Sequence, residues 1–192
     1  MKKTRIVWGI TGAGDYLAES LSVMKKISRD FEVEIVVLLS KDGELVVKWY
    51  GLWDDLKSGF GRVKSEKGAN LPFIAGSLQI GHYSFLFVSP ATANTAAKIA
   101  HGIADTLITN CVTQAIKGGT PVYIYPVDQE LGSRETQIPE GDMITIRTRR
   151  VDVENVEAIR NMEGIIVLEH PFEIESVVAS IVGAREQRTA GN

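Results

Sequence analysis

Cysteine is almost missing from this chain of 192 residues, with Cys111 standing alone. One thiol excludes an internal disulfide and any zinc or iron–sulfur site built from cysteines. Histidine is nearly as scarce, and His82, His101 and His170 are scattered, none at metal-ligand spacing from another. No metal is expected. The net charge of -3 provides no basic field for nucleic acid. No apolar run approaches the ~20 residues that a membrane-spanning helix needs. The apolar stretch after Lys2-Lys3 is broken by a glycine-rich loop, which is unlike a signal peptide. A cytoplasmic protein is expected.

Apolar residues make up 44% and charged residues 23% of the chain, as in globular proteins with a buried core. Strand and helix patterns alternate along it. Residues 5–10, 34–39, 83–88, 122–125, 143–148 and 165–168 read as strands, mostly apolar on both faces as buried parallel strands are. Helical spacing marks residues 16–28, 95–108, 112–117, 153–162 and 172–183, the last opened by Pro171. Asp42-Gly43 predicts a turn into a small hairpin at Leu45-Val46-Val47, and 64–68 reads as a solvated loop. The fold class expected is α/β: a Rossmann-like, flavodoxin-like, doubly wound parallel sheet in three α/β/α layers. One domain over 1–184 and a frayed tail over 185–192 complete the expectation.

Two strand-to-helix turns carry the chemical signals. Gly9-Ile10-Thr11-Gly12-Ala13-Gly14 stands where α/β proteins hold phosphate on helix N–H groups. Its G-x-x-G-x-G spacing differs from the dinucleotide fingerprint, and it lacks the Lys-Ser/Thr of a P-loop. The second strand ends in Leu39-Ser40-Lys41, without an acid for a ribose diol, which favours a mononucleotide over a nicotinamide dinucleotide. The other turn is Ser89-Pro90-Ala91-Thr92-Ala93-Asn94-Thr95, whose small residues leave backbone N–H groups accessible at the head of an alanine-rich helix. Tight turns and ordinary packing are the alternative reading of both segments.

Pro90-Ala91-Thr92-Ala93-Asn94-Thr95, followed by Lys98-Ile99-Ala100 and Gly102-Ile103-Ala104-Asp105, resembles the PA(S/T)ANT signature of FMN-binding flavoproteins. That superfamily includes homo-oligomeric cysteine decarboxylases, flavin prenyltransferases, archaeoflavoproteins and FMN-containing dihydromethanopterin reductases. The resemblance implies FMN held at Gly9, Thr11, Gly12, Ala13, Ser40, Ser89, Pro90, Ala91, Thr92 and Asn94. Asn94 is also the candidate for a side chain facing the ring or substrate, with helix capping as its alternative.

Departures from the superfamily separate its branches. After Pro126 the chain reads Val127-Asp128-Gln129-Glu130-Leu131-Gly132, lacking both the Met-Asn and Met-Trp pairs of the decarboxylases and the Arg-Glu-Thr-Pro of the prenyltransferases. Arg134-Glu135-Thr136 begins eight residues after Pro126, too late for that motif, and reads as chance. What remains resembles the redox branch, from Arg5 to about Ile174 and including the blocks beginning at Val151 and Met162. The resemblance then implies electron transfer through FMN from a ferredoxin-type donor to an acceptor, a pterin among the candidates. It also implies a homo-oligomer, a trimer or a multiple of trimers. An FMN-dependent decarboxylase or prenyltransferase is the alternative, and a flavin-binding protein without turnover the third reading. Trp49, Tyr50 and Trp53 could stack on a flavin or pterin, or pack a subunit interface.

Overall fold

The computed structural model describes the backbone of residues 3–190 and the side chains of residues 3–183. Its strands are β1 (Thr4–Ile10), β2 (Val33–Leu39), β3 (Val63–Ser65), β4 (Phe85–Ala91), β5 (Val122–Pro126), β6 (Gly132–Gln137), β7 (Met143–Thr148) and β8 (Ile165–Val167). Six of them form one parallel sheet in the order β3-β2-β1-β4-β5-β8. Alternate side chains leave opposite faces of a strand, so β1 sends Ile6, Trp8 and Ile10 to one side of the sheet and Val7 to the other. Each fully buried large apolar side chain is worth about 1.5–3 kcal/mol.

Helices cover both faces. The Trp8 side is packed by α1 (Leu17–Asp30), α2 (Lys41–Trp49), α3 (Trp53–Gly59) and α8 (Glu173–Ala190), through Leu21, Met24, Val47, Leu56, Ile174 and Val178. The Val7 side is packed by α4 (Ala75–Gln79), α5 (Ala93–Ala100), α6 (Leu107–Lys117) and α7 (Arg150–Arg160), through Leu78, Ala96, Cys111, Val112 and Val156. The expected three-layer α/β/α architecture is present. Residues 191 and 192 of the expected tail lie outside the described residues, and α8 runs to Ala190.

Several local expectations are corrected. The segment expected to be a hairpin near Leu45 is α2, because Ser40 caps it by accepting from the Gly43 N–H at 2.9 Å. Asp42 and Glu44 in its first turn suit the positive end of the helix dipole. The single helix expected over 95–108 is two. Gly102, at φ +68°, breaks it, and Thr106 restarts it by capping α6. Lys64 and Ser65, expected in a solvated loop, form part of β3 at the sheet edge. Finally, β7 belongs to a separate antiparallel hairpin with β6, a strand that no apolar pattern announced.

Candidate functional site

The strand order reverses between β1 and β4, the switch point outside which open α/β sheets bind ligands. Thr11 ties the two loops there. Its hydroxyl donates to the Pro90 carbonyl at 3.0 Å and accepts from the Thr92 N–H at 2.9 Å, while its own N–H also reaches Pro90. Beneath them Trp8 Nε1 donates to the Ser89 carbonyl at 2.7 Å, and the Ser89 and Ser20 hydroxyls are 2.8 Å apart.

A cleft of about 440 Å³ opens over this junction. First-turn or capping residues of three helices line it: Ser40 and Lys41 of α2, Thr92 and Asn94 of α5, and Thr106 of α6. Each N-terminus is capped by a hydroxyl. Thr92 accepts from the Thr95 N–H at 3.1 Å, and Thr106 and Thr109 satisfy one another's N–H groups. Gly12 fits because a Cβ there would press on Asp42, 2.8 Å away. Lys41, Lys98 and the carboxylates of Asp42, Glu66 and Asp105 share the lining, so what the cleft offers an anion is the remaining first-turn N–H groups at three positive dipole ends. Lys98 bonds both carboxylate oxygens of Asp105, at 2.8 and 2.9 Å, and holds that carboxyl below its ordinary range.

Of the expected cofactor positions, Thr11, Gly12, Ser40, Thr92 and Asn94 meet in this cleft. Gly9, Ala13, Ser89, Pro90 and Ala91 are buried and do not line it. Gly9 is fitted under Ile108, whose Cδ1 would lie 3.0 Å from an added Cβ. Asn94 is exposed in the first turn of α5, and the cap there is Thr92. Thr106 and Lys98 were missed by sequence reasoning. The threonine pair Thr106 and Thr109, ahead of an apolar periodic run, was the available signal.

Trp49, Tyr50 and Trp53 do not line the cleft. Trp49 Nε1 donates to Glu140 at 3.2 Å and the Tyr50 hydroxyl to the Gln137 carbonyl at 3.1 Å, so both grip the β6–β7 hairpin. Trp53 lies under the ammonium groups of Lys48 and Lys57. His101 is the exposed C-cap of α5. Among the described residues no cluster of His, Cys, Asp and Glu could hold a metal ion, and no helix is long and apolar enough to cross a membrane.

A second cleft, of about 310 Å³, is lined by Tyr16, which ends the loop between β1 and α1. Tyr125, Arg134, Thr148 and Glu169 also line it. Tyr16 adopts φ 59°, and its ring meets Tyr125 and His170 edge-on, each with centroids 5.3 Å away. Burial, reinforced by Tyr16, pushes the Tyr125 phenol up, so it stays protonated and can donate. Arg134 clasps Asp15 and Asp128, both at 2.9 Å, and Thr136 bonds Asp15 as well. The Arg134-Glu135-Thr136 string therefore holds the hairpin to the glycine loop.

The family model described as Flavoprotein matches residues 1–187. An uncharacterised protein of Methanocaldococcus jannaschii is 49% identical, over 96% of this chain and 99% of its own. The dihydromethanopterin reductase (acceptor) of the same organism is 33% identical, over 88% of this chain and 94% of its own. The crystal structure of Burkholderia xenovorans DmrB in complex with FMN, described as a cubic protein cage for redox transfer, superposes with a TM-score of 0.80. It is 30% identical and covers 96% of this chain and 98% of its own.

Proposed function

Since the chain belongs to the Flavoprotein family, we propose that it is an FMN-dependent oxidoreductase passing electrons to a small acceptor of the pterin class, with dihydromethanopterin the first to try. The observation that carries the reading is the meeting of three capped helix N-termini beside a glycine loop at the sheet's switch point. That donor set suits a phosphate on a polyol chain. Thr11, Gly12, Ser40, Thr92, Asn94 and Thr106 would hold the phosphate and ribityl of FMN, with the buried Gly9, Ala13, Ser89, Pro90 and Ala91 setting the course of the two loops. FMN, when bound, supplies one- and two-electron chemistry. The chain supplies the rest: Asn94 offers an amide that donates and accepts without changing charge, and the Tyr125 phenol keeps its proton.

The whole of 1–184 would act as one FMN-binding domain in a cytoplasmic homo-oligomer, a trimer or a multiple of trimers, fed by a ferredoxin-type donor. The decarboxylase alternative is less supported. The chain lacks that branch's residues after Pro126, and the residues there make other contacts: Asp128 binds Arg134 of the hairpin, and Gln129 donates to the Leu168 carbonyl after β8 at 2.8 Å.

The test is a visible spectrum of the purified protein before and after dithionite, with the released cofactor identified by mass. A yellow protein that bleaches reversibly and releases FMN is expected, followed by turnover of dihydromethanopterin with reduced ferredoxin or an artificial donor. A colourless protein that fails to take up added FMN sinks the reading. Sedimentation should give a mass that is a multiple of three chains.

A further inference from the structure

The β6–β7 hairpin and the start of α7 bear arginines that neither cleft described above explains. Arg147 of β7, the α7 N-cap Arg149 and Arg150 in the first turn of α7 line a third cleft, of about 800 Å³, with Ser133 and Thr148. No carboxylate lines it. Arg149 is paired with Asp152 at 2.7 Å. Arg147 and Arg150 form no ion pair and no side-chain hydrogen bond among the described residues.

This arrangement runs against local electrostatics. A helix carries its positive end at the N-terminus, so cations there repel it and one another. Asp152 is the sole acid in the first turn of α7. For Arg150 the rule is broken without a compensating contact, which points to a functional position. Guanidinium groups sharing a cleft offer fork-shaped donor sets that match phosphate and carboxylate oxygens.

The position of the cleft supplies the second argument. Leu131, Gly132, Ser133 and Thr148 line both it and the aromatic cleft, so the two adjoin at the base of the hairpin. A flat ring beside Tyr16 and Tyr125 could therefore extend a tail to the arginines.

We propose that Arg147, Arg149 and Arg150 bind a phosphate or carboxylate group on the tail of the electron acceptor, whose ring lies by Tyr16 and Tyr125. The identity of the ligand rests on the redox reading; the anion site does not. Two measurements separate them. The first is calorimetric titration of the protein as purified with inorganic pyrophosphate, wild type beside the Arg147→Gln/Arg150→Gln double variant. Saturable binding is expected, weakened by about tenfold or more in the variant, with circular dichroism and bound flavin unchanged. No binding by the wild type, or equal binding by both proteins, overturns the anion site. The second is steady-state reduction of an acceptor with an anionic tail beside the same ring lacking it. The variant should raise KM for the tailed acceptor at constant kcat and leave the tailless one unaffected. Pyrophosphate binding with an unchanged KM overturns the assignment to the acceptor. Failure of the flavin to bleach overturns the redox reading alone, because pyrophosphate binding requires no turnover.

Discussion

Single residues decide how closely the elements of this site approach. Gly43 lies inside α2, yet a Cβ there would overlap the Ile10 carbonyl oxygen at the end of β1. Backbone cannot swing aside as a side chain can, so Gly43→Ala should cost about 1–3 kcal/mol in urea unfolding. Gly76 in α4 is the control. Nothing lies within 4 Å of its added Cβ, and Gly76→Ala should stabilise by about 0.5–1 kcal/mol. Equal effects of the two substitutions would contradict the close approach of α2 to β1. Cys111 shows burial acting on reactivity. It is 0% exposed, and desolvation pushes its thiol up to about 12. The thiolate is the nucleophile, so Ellman's reagent at pH 8 should leave the native protein unlabelled and react once urea unfolds it. Rapid native labelling would refute that burial.

Among the elements, the β6–β7 hairpin is the least legible in sequence. Its strands read GSRETQ and MITIRT, and β6 has no apolar alternation to announce it. What holds it is remote in the chain. Asp15 takes Arg134 and Thr136, and Tyr50 takes the Gln137 carbonyl. Asp15→Ala should therefore quicken limited proteolysis within 132–148 while barely moving the urea midpoint. Unchanged cleavage would show that other contacts suffice. The start of α7 gives a pH test. Arg149 holds the Asp152 carboxyl below its ordinary 3.8. A lowered folded-state value contributes stability that is full above the unfolded value and lost as pH falls through the folded one. The urea midpoint of wild type should thus fall more steeply below about pH 4 than that of Asp152→Asn. Parallel acid limbs would assign the acid loss to other carboxylates.

At the scale of the molecule, binding and folding are coupled. A ligand held only by the native state stabilises it by mass action, about 2.7 kcal/mol at a hundredfold excess over Kd. Free FMN should accordingly raise the unfolding midpoint of flavin-stripped protein, and Thr11→Val should shrink that increment. A midpoint indifferent to FMN would contradict the proposed site. The sequence by itself determined the layer architecture, because continuous apolar strands alternating with amphipathic helices can be buried only between two helical layers. It also brought forward the two loops that line the cleft, through glycines and small hydroxyl residues at the ends of strands. Tertiary structure alone decided that α6 brings Thr106 beside Ser40 and Thr92, and that the aromatic trio faces a hairpin rather than the cleft. It alone gathered Arg147, Arg149 and Arg150 around one opening. The physical reason is range. Periodicity and turn chemistry act over a few residues and survive in a linear reading, whereas three helix ends meet only where the twist and strand order of the sheet carry them.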